Sequence, residues 1–218
     1  MKRQVLIGLL FLFTIAMTAQ TNNNKYENDW GKVEEFDQQR LPQSAGKQVD
    51  EILKKAVSDK NTTQVIKALI YKNKYKKSID RQDNEELFKE LETLLVQTQN
   101  IAEKSLLHSM IAELYADYYQ TNQWKIRQRT DLTDLVPEDI KEWTANIFND
   151  KISEHLELSV KDADALKKYT TKQYDDIIKL GSDGQRFYPT LYDFLALRTI
   201  GVAQAAGSIR YYDFDVTS

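Results

Sequence analysis

The chain has no cysteine, and that absence removes disulfides, thiolate metal sites, a cysteine nucleophile and a lipid anchor on a new N-terminal cysteine. Glycine and proline are scarce as well, with 7 and 3 among 218 residues. Few helix breakers, and much Ala, Leu, Glu, Lys, Gln and Asp, favour helices along the whole length. Histidine, the usual general base and metal ligand, occurs only at His108 and His155. The two are far apart in the chain, each within a helical pattern and outside any HxxxH spacing, so both read as structural or surface residues. Gly-rich phosphate loops, a GxSxG elbow and EF-hand spacing are all missing. Adjacent carboxylates such as Glu34-Glu35, Glu85-Glu86 and Asp175-Asp176 point about 100° apart on a helix and do not converge as a general acid and base. They read as solvated faces, and the sequence calls for no catalytic residue, cofactor or metal.

Long apolar runs are absent except at the start. Lys2 and Arg3, the run Val5 to Ile15 and the small-residue exit Ala16-Met17-Thr18-Ala19 predict a signal peptide over 1–19. Cleavage is expected after Ala19, or after Thr18, which would put Ala16 rather than Met17 three residues before the cut. The alternative is an uncleaved anchor, but the apolar run is shorter than the ~20 residues a spanning helix needs. Losing Lys2 and Arg3 takes the formal charge from −3 to −5. An acidic surface with scattered lysines argues against nucleic acid as a partner. The mature chain is expected in the periplasm or outside the cell, with no membrane span and no lipid anchor.

What is present is helical periodicity. Ser105 to Thr130 predicts the central helix, with Leu107, Met110, Ile111, Leu114 and Tyr118 on one face. It runs into an aromatic and basic corner, Tyr115, Tyr118, Tyr119, Trp124, Arg127 and Arg129. As function, this corner would hold an extended peptide or a glycan; as structure, it would be a buried turn with arginines stacked on rings. The structural reading is preferred, with the Trp124 indole in the core.

Before that helix, 20–28 is polar and Asn-rich and reads as a disordered linker. Trp30, Val33 and Phe36 predict a helix stopped near Leu41-Pro42. Pro42 starts a second, with Ala45, Val49, Ile52, Leu53 and Ala56 inward. Val65, Ile66, Leu69 and Ile70 predict a third, ended by Lys72, Lys74, Lys76 and Lys77 at the negative pole of its dipole, a solvated end rather than an anion patch. Asp83 and Glu86 cap a fourth, which buries Leu87, Leu91, Leu94 and Leu95.

After the corner, Pro137 is expected to open a helix through Ile140, Trp143, Phe148, Ile152 and Val160, bent near Thr144. Another helix runs from Asp162 to Ile178, Ser182-Asp183-Gly184 is a turn, and Thr190 with Asp193 caps a last helix with Leu191, Phe194, Leu195, Leu197 and Ile200 inward. The segment 201–218 reads as an irregular tail, poorly ordered or the stump of something longer. The expected fold is all-α: one domain over 29–200 of antiparallel helical hairpins, in a tetratricopeptide-like or α-solenoid array of about seven to eight helices.

The string YYQTNQWKIRQRT, with AELYADYY before it and a Pro-started helix after it, resembles the N-terminal helical region of bacterial alpha-2-macroglobulin-family proteins of the Bacteroidetes type. WGKVEEFDQQRLPQSAGKQVDEILKKA, VIKALIYKNKY and PTLYDFLALR follow the same order, over about Trp30 to Ile200. The family's members are large exported antiproteases with β-sandwich domains, a bait segment and often a Cys-Gly-x-Gln thioester. A chain without cysteine forms no thioester, and the tail from Gly201 departs from the family's continuation, as in a truncated product or a retained N-terminal piece. The resemblance therefore implies a non-enzymatic exported helical module for a protein or peptide partner, without the trapping parts. The alternative is a free-standing tetratricopeptide-like scaffold for peptide or cell-envelope partners. A third reading, a glycan-processing enzyme, requires a deep pocket with two facing carboxylates.

Overall fold

The structure, a computed structural model, describes residues 25–79, 85–130, 136–181 and 184–206. Among them every regular element is helical, so the chain is all-α. The expected signal peptide over 1–19, residues 20–24 of the expected linker, the Asp83 cap, Ser182 and Asp183 of the expected turn, and 207–218 of the expected tail lie outside the described residues. The chain divides into two compact units, 1–82 and 83–218.

In the first unit, α1 (residues 25–38), α2 (Pro42–Ser58) and α3 (Thr62–Ile79) form a three-helix arrangement. Asp29 pairs with Lys55 at 2.6 Å, and the Tyr26 hydroxyl donates to Asp59 at 2.6 Å, so α1 and α2 run in opposite directions. The Trp30 indole donates to Gln64 at 2.7 Å and Lys74 pairs with Asp37 at 2.6 Å, so α1 and α3 run the same way. Residues 25–28 correct the linker expectation: they are helical, because Tyr26 is buried and its hydroxyl has a carboxylate to donate to.

The stripe foreseen on α2 is buried at Ala45, Val49, Ile52 and Ala56, and Pro42 stands in the first turn, where its missing N–H costs nothing. Helix α3 differs from expectation in two ways. Ile70 is exposed, and the helix runs on through the lysines to Ile79. Lys76 and Lys77 stand in its last turn, while Lys72 and Lys74 lie before it: the Lys74 ammonium is 5.0 Å from the Tyr75 ring centre and 5.6 Å from that of Tyr71 while it pairs with Asp37. Cation, ring and carboxylate together favour continuing the helix.

Both turns of this unit share one device. The N–H of Leu41 reaches the Phe36 carbonyl and that of Arg40 the Asp37 carbonyl; one helix later Asn61 reaches Ala56 and Lys60 reaches Val57. This is the Schellman closure, with Arg40 (φ 57°) and Lys60 (φ 54°) in the left-handed position where glycine is usual.

The second unit is built on α5 (Ile101–Ile126), which packs against α4 (Glu85–Gln97), α6 (Ala145–Val160), α7 (Ala163–Leu166) and α9 (Leu191–Ala206). The Asn100 side chain caps α5 by accepting from Ala102 and Glu103 N–H. Helix α5 is buried on several sides, including Leu107, Ile111, Leu114 and Tyr115, while Met110 and Tyr118 are half-buried. Contacts of Phe88 with Tyr118, and of Glu92 with Tyr115, set α4 antiparallel to α5. A second cluster joins Ala102 and Leu106 to Leu166, Tyr174, Ile178, Leu191 and Leu195.

The long helix expected from Pro137 is interrupted. A short 3-10 turn, Ile140–Glu142, is followed by extended Trp143, and Thr144 then caps α6 through the Ile147 N–H. The Asp162 to Ile178 helix likewise divides into α7 and a 3-10 turn at Thr171–Tyr174. The reason is a tertiary contact: the Tyr169 carbonyl accepts from the Leu191 N–H at 2.8 Å, so this backbone seats the start of α9 and does not continue a helix. The 3-10 turn is closed by a capping box in which Gln173 accepts from the Thr170 N–H. Short α8 (Gly184–Phe187) precedes α9. Thr190 and Asp193 cap α9 reciprocally as foreseen; Leu191 and Leu195 are buried, but Leu197 and Ile200 are exposed. Residues 201–206 of the expected irregular tail are helical, with Val202 and Ala203 buried. Among the described residues no helix is long and apolar enough to cross a membrane.

Candidate functional site

The six residues of the aromatic and basic corner fall into two sets. Tyr115 is buried in α5, its hydroxyl donating to Glu92 at 2.5 Å and its ring lying 5.1 Å from Phe88 and 5.2 Å from Trp143. Burial, with the Glu92 carboxylate next, pushes the Tyr115 phenol well above its ordinary pKa, so it stays a neutral donor. Tyr118 stacks on Phe148 with 5.6 Å between centroids and 20° between planes, and Tyr119 packs on the same ring from 5.8 Å. Arg129 donates from Nη1 to the Trp143 carbonyl at 2.5 Å, and the Trp143 indole donates to the Pro137 carbonyl at 2.7 Å. Tyr115 and Arg129 thus meet Trp143, and Tyr118 and Tyr119 meet Phe148, which packs on Trp143 in turn.

Trp124 corrects the expectation of a buried indole: it is 77% exposed. It lies five residues beyond Tyr119, and at about 100° per residue that turns it roughly 140° from the buried side, whereas Ile126 returns to that side and is fully buried. Lys125 and Arg127 are exposed beside it. This second set is an apolar ring system in solvent with cations one and three residues further along the chain.

Sequence reasoning missed the meeting of the two histidines. Nδ1 of His108 on α5 lies 3.1 Å from Nδ1 of His155 on α6, and the ring centroids are 5.0 Å apart. One ring donates from Nδ1; the other accepts there and carries its hydrogen on Nε2. His155 is 8% exposed, and Tyr115 meets it edge-on at 5.8 Å. Burial, then the neighbouring His108, pushes His155 down to about 4; burial also lowers His108. Neither helix carries a signal for the pairing in its own sequence: it follows only from the Tyr118–Phe148 contact, from which stepping back along α5 corresponds to stepping forward along α6, toward His155. Among the described residues no group of three or more His, Cys, Asp or Glu is placed to hold a metal ion.

A cavity of about 390 Å³ in the first unit is lined by Arg40, Leu41, Pro42, Gln43, Ser44, Ser78 and Ile79. Its lining contains no carboxylate, so it does not supply the facing acid pair that glycoside hydrolysis requires. Comparison of the chain with protein families, curated proteins and solved structures gave no match. The macroglobulin resemblance rests on the strings quoted above.

Proposed function

We propose that the protein is a non-enzymatic, exported helical interaction module that grips a protein or peptide partner at Trp124, Lys125 and Arg127. The observation that carries this reading is the exposed indole at the end of α5. A side chain of that size left in water forfeits its burial, and tryptophan and arginine are the residues most enriched where protein partners are anchored. The scaffold under it is rigid: Tyr118 and Tyr119 of the same helix are held against Phe148, and Arg129 ties the chain after the helix to Trp143. An anchor on a fixed helix end loses little freedom on binding.

Export is read from Lys2, Arg3 and the Val5 to Ile15 run. The resemblance to the helical region of an antiprotease family suggests a setting for the module and none of the trapping parts. For the finer architecture of the second unit, α5 shared among α4, α6, α7 and α9 supports a bundle over a solenoid, in which each repeat meets only its neighbours.

The test compares retention of envelope proteins by the mature chain and by Trp124→Ala and Arg127→Glu variants whose circular dichroism matches it. A partner held by the parent and released by both variants is expected. The same proteins held equally by all three would overturn the assignment.

A further inference from the structure

We propose that His108 and His155 form an acid-sensitive latch between α5 and α6, closed while the pair shares one hydrogen bond and forced open when both rings carry a proton. The geometry sets the rule. Two Nδ1 atoms 3.1 Å apart are bonded only if one has a hydrogen and the other a lone pair. Neutral rings satisfy this, and so does a pair with one proton added. Two imidazolium rings present N–H to N–H, and the bond becomes a repulsion between like charges in a largely dry seam.

The surrounding charges do little to relieve it. On α6, Glu154 faces both rings, but Lys151 already holds its carboxylate at 2.8 Å. Lys151 opposes a proton on His155, and Lys104 of α5 opposes one on His108. From α4, Glu92 is engaged by the Tyr115 hydroxyl; from α9, Arg198 is engaged by Glu113 and Ser109; from α7, Asp164 lies near Lys167. The seam that would part holds the aromatic cluster of Tyr115, Trp143 and Phe148, so opening bares apolar surface.

The direction with pH follows from linkage. Folded-state values lie below the ~6.5 of an unfolded histidine, so between the two the unfolded chain binds more protons. Stability of this seam is complete above ~6.5 and falls with pH down to the folded value, about 4 for His155. Two histidines at an exposed surface would give no such slope. The latch is independent of the partner at Trp124.

The test follows the imidazole C–H resonances and binding of an apolar fluorescent dye from pH 7 to 4 in the full chain. The expected result is a His155 midpoint at least one pH unit below 6.5, with dye binding rising several-fold in the same range. The paired variant His108→Asn/His155→Asn places an amide where each Nδ1 stood and cannot titrate; it should lose the rise. If that variant fails to fold, His108→Asn alone decides, because His155 then ionises without a cation facing it: its midpoint should move up and the rise in dye binding should vanish. Ordinary midpoints near 6.5 for both rings, or a dye response unchanged in the variants, would overturn the proposal.

Discussion

Trp143 hangs its indole on the Pro137 carbonyl and offers its own carbonyl to Arg129, while Trp124, in the stretch that looked most like a core, stands in water. The two tryptophans should therefore respond oppositely to truncation. Trp143→Ala leaves a void beside Tyr115 and Phe148 and strands the Pro137 acceptor, and should cost ~3 to 5 kcal/mol. Trp124→Ala removes little contact and should stay within ~0.5 kcal/mol. Urea unfolding of the two variants checks the pair, and a large loss for Trp124→Ala would return that indole to the core.

Arg40 and Lys60 occupy left-handed backbone at the ends of α1 and α2, where a Cβ costs roughly 1 to 2 kcal/mol. Glycine removes that strain but frees the unfolded chain, which takes back part of the gain. Arg40→Gly and Lys60→Gly should each stabilise the first unit by about 0.5 to 1 kcal/mol. A fall in the unfolding midpoint for either would mean that the side chain contributes more than the backbone strain costs.

The Trp30 indole and the Gln64 carbonyl oxygen are both buried, and the hydrogen bond between them joins α1 to α3. Gln64→Ala leaves the indole N–H without its acceptor and should cost about 1 to 3 kcal/mol. In a Trp30→Phe background the donor is gone, so the same change should cost less. A double-mutant cycle measures the difference, and strict additivity would show that the bond contributes nothing of its own.

Much of the helical framework was legible because spacing alone determines which side chains share a face. Ala45, Val49, Ile52 and Ala56 form a stripe in the sequence and a buried seam in the structure. The size of Trp124 argues for burial, but its angle on the helix, readable in the same sequence, turns it outward. Ile70, Leu197 and Ile200 fit an apolar pattern yet face outward, since pattern ranks faces without counting how many neighbours arrive to cover them. The histidine pair was a different kind of miss. It depends on how α6 is registered against α5, and that register is set by the break at Trp143 and Thr144 rather than by either helix. The Schellman turns were hidden because Arg40 and Lys60 carry none of the glycine signal that marks such closures.

Asp59 links the start of α1 to the end of α2, and it makes the first unit sensitive to acid in a range below that of the histidine seam. Lys25 Nζ donates to one oxygen at 2.7 Å and the Tyr26 hydroxyl to the other at 2.6 Å. The Lys25 bond, then the Tyr26 bond, hold the Asp59 carboxyl below its usual range. An unfolded aspartate titrates near ~3.9, so this stabilisation is complete above that pH and is lost as pH falls through the lower folded value. Tyr26 is raised, by burial first and by Asp59 next, so its contribution is complete below ~10 and declines as pH climbs toward the folded value. Asp59→Asn keeps an acceptor for the hydroxyl but cannot ionise, and should flatten the dependence of the urea midpoint on pH below 4. Tyr26→Phe should flatten it above 10 while leaving the Lys25 pair in place. If Asp59→Asn retains the parent's acid slope, the protons taken up there belong to other carboxylates and the Asp59 contacts do not control the acid limit of α1 docking.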